Sequence, residues 1–460
     1  MRSPRRGMSR RAVEGHRGRS STDDTLAVLT VALVALAAVP NASVAPPFWL
    51  AWSALAGVLL AAQAAFTRRP ALTGGGNTPV LVTVVALGIC VPLFGLWQSM
   101  SVQFTDPAAF AGHTIPPGSL APAASATGAV RQLGLAALFL VVIRLAADPG
   151  RATLMALALF GVIALNAAFS IVALRLLGDV ALVGEKTAYL GSATGTFVNR
   201  NAFATHLGFG LVLGTGLVLA RLHPDPQSRR RQRPVLDDFN LTTLTLAIAL
   251  LVVATALIAT QSRMGILSGL IGASAVVAWM GPIADRPARI RLRWSIAVLL
   301  GGGALILALG GPDLFERGLL VSEDVSTRRA LYRQVLAMIA DRPWQGVGLD
   351  AFPVAFELSH ADPVDSGVTW DHAHSSYLAL WAEMGVVIGS LPMLALALAG
   401  VHLLRRGRAR QRAGVPAGAF GALLLAAVHA SIDFSFEIPA NAMLFVSIIA
   451  LGLGAVAGRK

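Results

Sequence analysis

Charge is what this sequence has least of. Asp, Glu, Lys and Arg make up 13% of its 460 residues, against roughly a quarter in an ordinary soluble chain. Cysteine occurs once, as Cys90 inside an apolar run. It has no partner for an internal disulfide or a thiolate metal site and reads as a small buried hydrophobe. Lysine is confined to Lys186 and Lys460, so arginine carries the basic character. Aromatics are 7% of the chain, too few and too little interleaved with arginine for a nucleic-acid stacking platform, although the formal net charge is +13. No soluble domain, low-complexity tract or convincing internal repeat stands out.

What is abundant is apolar length. Hydrophobic residues are 55% of the chain and the mean hydropathy is +0.67. One soluble core cannot hide that much, so lipid must be the solvent for much of the surface. A spanning helix needs about 20 mostly apolar residues. Twelve candidates run near Leu26–Val39, Phe48–Phe66, Pro79–Leu96, Leu133–Ala146, Ala152–Ala173, Ala202–Ala220, Leu241–Ala259, Met264–Pro282, Trp294–Leu309, Tyr377–Leu404, Ala417–Ser431 and Asn441–Ala457. The first, fourth and eleventh are short. The basic stretch Met1–Arg19 could mimic a signal peptide, but no small-residue cleavage motif follows Val39 and many spans do. It reads as a cytoplasmic tail leading into a retained span.

Charge placement supports this division. With the N-terminus inside, the cytoplasmic connections hold the N-terminal arginines, Arg68 and Arg69, Arg144 and Arg151, the Arg221–Arg233 cluster, Arg286–Arg293 and Arg405–Arg412. The alternate connections are poorer in basic residues, as the positive-inside rule requires. The expectation is an all-α polytopic membrane protein of about 12 transmembrane helices: a basic cytoplasmic tail over 1–23, nine helices over 24–310, one long extracytoplasmic loop over 311–376, and three helices over 377–460. An amphipathic helix is expected in the loop near Arg328–Ala340, followed by a stretch rich in proline and glycine.

The basic residues left on the outer side are candidates for function, because charge near a bilayer is costly; snorkelling at span ends is the plainer alternative. Arg263, in Thr260-Gln261-Ser262-Arg263, joins two spans almost without a loop. It is either an interfacial anchor or a bidentate clamp on phosphate. Arg200, flanked by Asn199 and Asn201, opens the sixth span. The asparagines could cap that helix, or the helix start with Arg200 could hold an anion. In the long loop, helical spacing puts Arg328 with Tyr332, and Arg329 with Arg333, on shared faces; a solvated surface helix is the alternative. Arg342-Pro343-Trp344-Gln345-Gly346-Val347-Gly348 suggests a tight turn.

Asp371-His372-Ala373-His374-Ser375-Ser376-Tyr377 precedes the tenth span. Two histidines and Asp371 could begin a zinc site, but no further motif completes one. A neutral histidine at the membrane face is also a natural general base. Glu383 could orient a histidine or snorkel. Asp433, in His429-Ala430-Ser431-Ile432-Asp433-Phe434, could pair with an outer arginine or sit at a helix end in water.

Taken together, Gly195 to Ala204, Ser262-Arg263, Arg328 with Tyr332, Pro343 to Gly348, His372-Ala373-His374 and His429 to Pro439 resemble the O-antigen ligase and polymerase superfamily of bacterial surface-polysaccharide enzymes. The resemblance covers roughly residues 190 to 440. One departure is Ser375, where the family often has asparagine. The resemblance implies a GT-C-like membrane fold with its active site facing the periplasm or exterior of the bacterial cytoplasmic membrane. It further implies a metal-independent glycosyltransferase without cofactor, taking a glycan from undecaprenyl diphosphate to an acceptor hydroxyl. Arg263 and Arg328, with Arg200, would bind the diphosphate. His374, with His372 beside it, would activate the acceptor. Asn199, Asn201, Tyr332, Glu383 and Asp433 would support them. The implied partners are the bilayer, the lipid-linked glycan donor and a glycan, lipid or protein acceptor. Ligation to lipid A–core and polymerisation of repeat units both fit. A transporter or flippase for an anionic lipid would predict midplane charges and symmetric halves, neither of which is clear; a scaffold would need neither Arg263 nor the histidine pair.

Overall fold

The computed structural model describes residues 10–67, 78–100, 118–222, 241–280, 321–364, 369–407 and 414–457. Among them there is no strand. The helices are α1 (Arg10–Ala37), α2 (Pro46–Phe66), α3 (Thr78–Ser99), α4 (Pro122–Leu145), α5 (Pro149–Leu176), α6 (Arg200–Leu222) and α7 (Leu241–Ala259). They continue with α8 (Arg263–Met280), α9 (Val321–Asp341), α10 (Phe352–Ser359), α11 (Ser376–Gly407), α12 (Gly414–His429) and α13 (Pro439–Ala457), and a short 3-10 turn covers Asn41–Ser43.

Nine of these helices are long and apolar enough to cross a membrane. They correspond to nine of the twelve expected spans, so the chain is a multi-pass membrane protein. The other three expected spans fall outside this set. Leu26–Val39 is the apolar end of α1, whose first half is polar. Ala417–Ser431 is α12, sixteen residues long; at ~1.5 Å per residue it is shorter than a ~30 Å hydrocarbon core. Trp294–Leu309 lies outside the described residues. The fourth span is longer than expected and begins at Pro122. Its first turns, Ala-Ala-Ser-Ala-Thr-Gly, are low in hydropathy but small enough to pack.

The centre of the bundle is built from α6, α8, α12 and α13. Within its most apolar window α6 is 89% buried and α13 78%, against 22% for α2, which puts α2 at the lipid face. Small residues bring the central helices together, as expected where lipid tails are as apolar as leucine. At Gly272 of α8 an added Cβ would lie 2.6 Å from the Gly421 carbonyl oxygen of α12.

The long loop is more than a connection. From α9 onward it forms a cap with its own core of Leu331, Val335, Phe352, Phe356, Val364 and Ala373. The amphipathic helix expected there is α9, which buries Leu331 and Val335 and exposes Arg329 and Arg333. The cap is strapped to the start of α11. Val347 N–H donates to Ala382 O (2.8 Å), Gly348 N–H to Glu383 O (3.0 Å) and Val386 N–H to Pro343 O (2.8 Å). α11 kinks at Gly385 (φ 71°) to receive this turn; a side chain there would strike the Trp344 peptide. Buried Gln98, at the C-terminal end of α3, ties the two together. Its amide donates to Gln345 O (2.7 Å) and Glu383 O (2.9 Å), and its oxygen accepts from Leu349 N–H (3.1 Å). Arg131 of α4 adds an ion pair with Asp350 (2.5 Å).

The connections expected outside thus meet at one end. The 3-10 turn, the 177–199 segment, the α7–α8 turn, the cap and the α12–α13 turn all touch neighbours from this group. Exchange of Gln98 for Leu would strand buried peptide groups of the strap. It should cost about 1–3 kcal/mol and lower the melting temperature in detergent by about 2–4 °C per kcal/mol. An unchanged melting temperature would show that the strap is dispensable.

Candidate functional site

A mainly apolar cleft opens at this end of the bundle. It is lined by Ala42 and Val44 of the first connection, by Phe197, Val198, Asn199 and Ala202, by His372, and by Phe434 and Ile438. Residues from four separate connections therefore share one small space.

The 372–376 segment brings His372 to the cleft. It is anchored to the α12–α13 turn, with Ser376 N–H donating to Ala430 O (2.9 Å) and Ser376 Oγ to Asp433 O (3.2 Å). His372 stacks face to face on Phe434, with ring centroids 4.0 Å apart and 8° between the planes. Its Nδ1 lies 2.7 Å from Glu437 Oε2. His374 sits in the left-handed backbone region (φ 51°), uncommon for a residue with a Cβ. The Tyr332 hydroxyl donates to its carbonyl (2.8 Å), and its ring meets Trp370 and Phe434 edge-on.

The arginines approach from neighbouring elements. Arg200 opens α6 and places its guanidinium 5.6 Å from the Tyr189 ring centre. Arg328 of α9 donates to Ile432 O (2.9 Å), in the turn beside His372. Arg263 opens α8 and is exposed. The turn before it is bonded to the segment that carries Tyr189: Gln261 Nε2 donates to Gly191 O (3.2 Å), and Ala193 N–H donates to Ala259 O (2.9 Å). Burial lifts the Tyr189 phenol above its ordinary pKa; Arg200 pulls it back, Asp433 raises it and Arg328 lowers it. One phenol therefore feels Arg200, Asp433 and Arg328 together.

The asparagines divide. Asn199 Oδ1 accepts the N–H groups of Asn201 (2.7 Å) and Ala202 (3.3 Å), so Asn199 caps α6. Asn201 lies inside the first turn. Two helix-start amides are thus already engaged, and an anion here would be met by Arg200. Asp433 is buried; its carboxylate accepts the Ser435 N–H (2.8 Å) and hydroxyl and closes its own turn. It also stands 3.9 Å from buried His429 Nδ1. Glu383 accepts from Phe352 N–H at the start of α10 (3.3 Å). It serves the strap, and neither histidine is its hydrogen-bond partner.

Three participants went unnoticed in the sequence. Gln98 carries no signal beyond being polar at a span end. Tyr189 is one of only three tyrosines; the other two, Tyr332 and Tyr377, fall in motifs already singled out. Glu437 is a carboxylate two residues before a span that starts with proline, a costly place for charge. Among the described residues no group of three His, Cys, Asp or Glu side chains is arranged to hold a metal ion.

Residues 248–391 match a family model described as O-antigen ligase. The match includes Arg263, Arg328, Tyr332, His372, His374 and Glu383, and leaves Tyr189, Arg200, Asp433 and Glu437 outside. No curated protein matches the chain.

Two outcomes test this geometry. Tyr332→Phe leaves the His374 carbonyl without its donor, which should cost about 1 kcal/mol and increase protease cleavage within 360–375; unchanged cleavage would deny that Tyr332 holds the segment. Tyr189, followed by ultraviolet difference titration against Tyr189→Phe, should ionise above its ordinary value. Arg200→Ala should raise that value further, because a cation that favours the phenolate is gone.

Proposed function

From the match of residues 248–391 to a family model described as O-antigen ligase, we propose that this chain is a glycosyltransferase that moves a glycan from undecaprenyl diphosphate to an acceptor hydroxyl at the outer face of the bacterial cytoplasmic membrane. The observation that carries the proposal is that Arg200, stacked on Tyr189, and Arg328, bonded to the Ile432 carbonyl, both stand beside the cleft that His372 lines. Arg263 is presented from the adjoining turn.

The chemistry follows from the charges. A diphosphate leaves readily when the charge it gains is neutralised. Guanidinium groups do this without reorganising as the bond breaks, and do so best where bulk water is thinned. A histidine of the 372–374 pair takes the acceptor proton. The cleft's apolar lining suits a lipid-linked substrate. Gathering these groups at one end of the bundle suits an enzyme working at one leaflet, whereas a flippase would need charge along a path through it. The excess of arginine in the opposite connections supports an outward site. Ligation to lipid A–core is the first reading of the acceptor, and repeat-unit polymerisation is the alternative.

In detergent with a chelator present, wild-type protein given a polyprenyl-diphosphate glycan and acceptor should release polyprenyl diphosphate. Arg263→Ala and Arg328→Ala should each lower that rate by about 10²–10³-fold, the scale for removing a donor to developing negative charge. The acceptor required, core lipid or a second lipid-linked repeat, separates ligase from polymerase. Donor binding by folded protein without release under any acceptor would reject the proposal, and dependence on added metal would reject its metal-free form.

A further inference from the structure

We infer that the loop leaving α5, residues 177–190, lies in the headgroup layer of the bilayer leaflet at the cleft's end of the bundle, with its aliphatic side chains in lipid. The inference needs only that the chain is a membrane protein, and it stands whether or not the transferase reading holds.

A loop in water carries its polar groups outside. This one is built the other way round. Leu177, Val180, Leu182, Val183 and Leu190 are each between 43% and 67% exposed, and Leu176, which ends α5, joins them. The ammonium group of the loop is inside instead. Lys186 has only 7% of its side chain open and is paired with Asp179; it also donates to Ser192 O (2.7 Å). The other oxygen of Asp179 accepts the Gly191 N–H (2.7 Å). This pair draws its partners from the loop itself and asks little of water. Aliphatic side chains turned outward together mark a contact with protein or membrane.

The helix before the loop decides between the two. α5 is long and apolar enough to cross a membrane, and Leu165 on it is 73% exposed, so lipid already covers the surface from which the loop continues. Arg175, in the last turn of α5, marks the level at which the apolar run meets the headgroups. The chain does not run on from there into water. Leu177 N–H donates to Val172 O (3.2 Å) and Asp179 N–H reaches back to Ala173 O (2.8 Å), with Gly178 and Asp179 at positive φ (80° and 62°). The loop is thereby held against the end of α5, where lipid begins. Arg175 and Glu185, both exposed, supply the polar groups that an interfacial segment presents to headgroups and water.

The loop also reaches the cleft. The hydroxyl of Tyr189, beside Leu190, accepts from Asn199 Nδ2 (3.1 Å), and its ring stacks on Arg200; Asn199 lines the cleft. One piece of chain therefore runs from the leaflet to the cleft wall, and a ligand carried on a lipid tail meets Arg200 without leaving the leaflet.

The test uses the full-length protein in lipid nanodiscs. Cys90, the one cysteine, is exchanged for alanine, and Leu182→Cys and Leu190→Cys are spin-labelled singly. Leu165→Cys on α5 is the reference for lipid, and Arg329→Cys, exposed on α9, the reference for water. Molecular oxygen concentrates in lipid and a nickel chelate in water. Labels replacing Leu182 and Leu190 should be relaxed more by oxygen than by the chelate, as at Leu165, with the order reversed at Arg329. Relaxation by the chelate as at Arg329 would overturn the inference by placing the loop in water. Protection from both reagents would overturn it by placing the loop under protein, a second copy of this chain included. Leu182→Trp needs no label and carries the decision with Leu190→Cys if a label replacing Leu182 lowers the melting temperature. The fluorescence it adds to that of the wild type should be quenched by lipids brominated near the headgroup, and less by lipids brominated at the chain end. No quenching of that added fluorescence in folded protein would likewise overturn the inference.

Discussion

Hydrocarbon offers no partner to a charge or an unpaired peptide group, and the whole arrangement of this chain follows from that exclusion. Polar chemistry has to sit where the helices stop. A site assembled from helix ends must draw on several connections at once, because each end supplies only a residue or two. Arg200 and Arg263 each open a helix, Arg328 arrives on the cap, and Glu437 stands just before α13. None has to cross the apolar middle. The cost of desolvating a guanidinium is avoided by position.

Holding such ends in register requires rigidity below and above them. Below, close approach of α6, α8 and α12 through small residues leaves little room to slide. Above, the cap supplies what a loose loop could not: its own apolar core, and a strap of peptide bonds running to α11 and Gln98. Two positive-φ residues shape this junction. Gly385 bends α11 so the strap can dock, and His374 adopts a positive φ so that the following serines reach Ala430 and Asp433. Local strain of this kind persists only where the surroundings fix it on several sides, and here Tyr332, Trp370 and Phe434 do so.

Much of this could be read from residue order. Apolar runs marked most of the helices, arginine placement suggested a sidedness for their connections, and motif spacing picked out Arg200, Arg263, Arg328, Tyr332 and the histidine pair. What escaped was whatever depends on contact between distant segments. Hydropathy did not reveal the start of α4, because alanine, serine and glycine pack well without being strongly apolar. Glu383, a turn or two beyond the histidine motif, could orient a histidine or snorkel; in the structure it accepts from Phe352 N–H. Nothing near Gln98 announces three hydrogen bonds to residues some 250 positions away. The histidine motif was plain, but the carboxylate that holds His372 comes 65 residues later.

The division of the site along the chain bears on what can vary within it. The matched stretch, residues 248–391, carries both histidines and two of the arginines to which the proposed reaction assigns proton transfer and charge neutralisation. Tyr189, Arg200, Asp433 and Glu437 come from outside that stretch, and each acts on it through geometry: stacking on a guanidinium, closing a turn, setting a ring. Phe434 and Asn199, also outside it, form walls of the cleft by which an acceptor would enter. Under the proposed reaction, differences in which hydroxyl is accepted can arise in these flanking segments without disturbing Arg263 and Arg328. On that proposal the shape of the cleft would choose the acceptor, while a diphosphate's charge would remain the constant demand on the site.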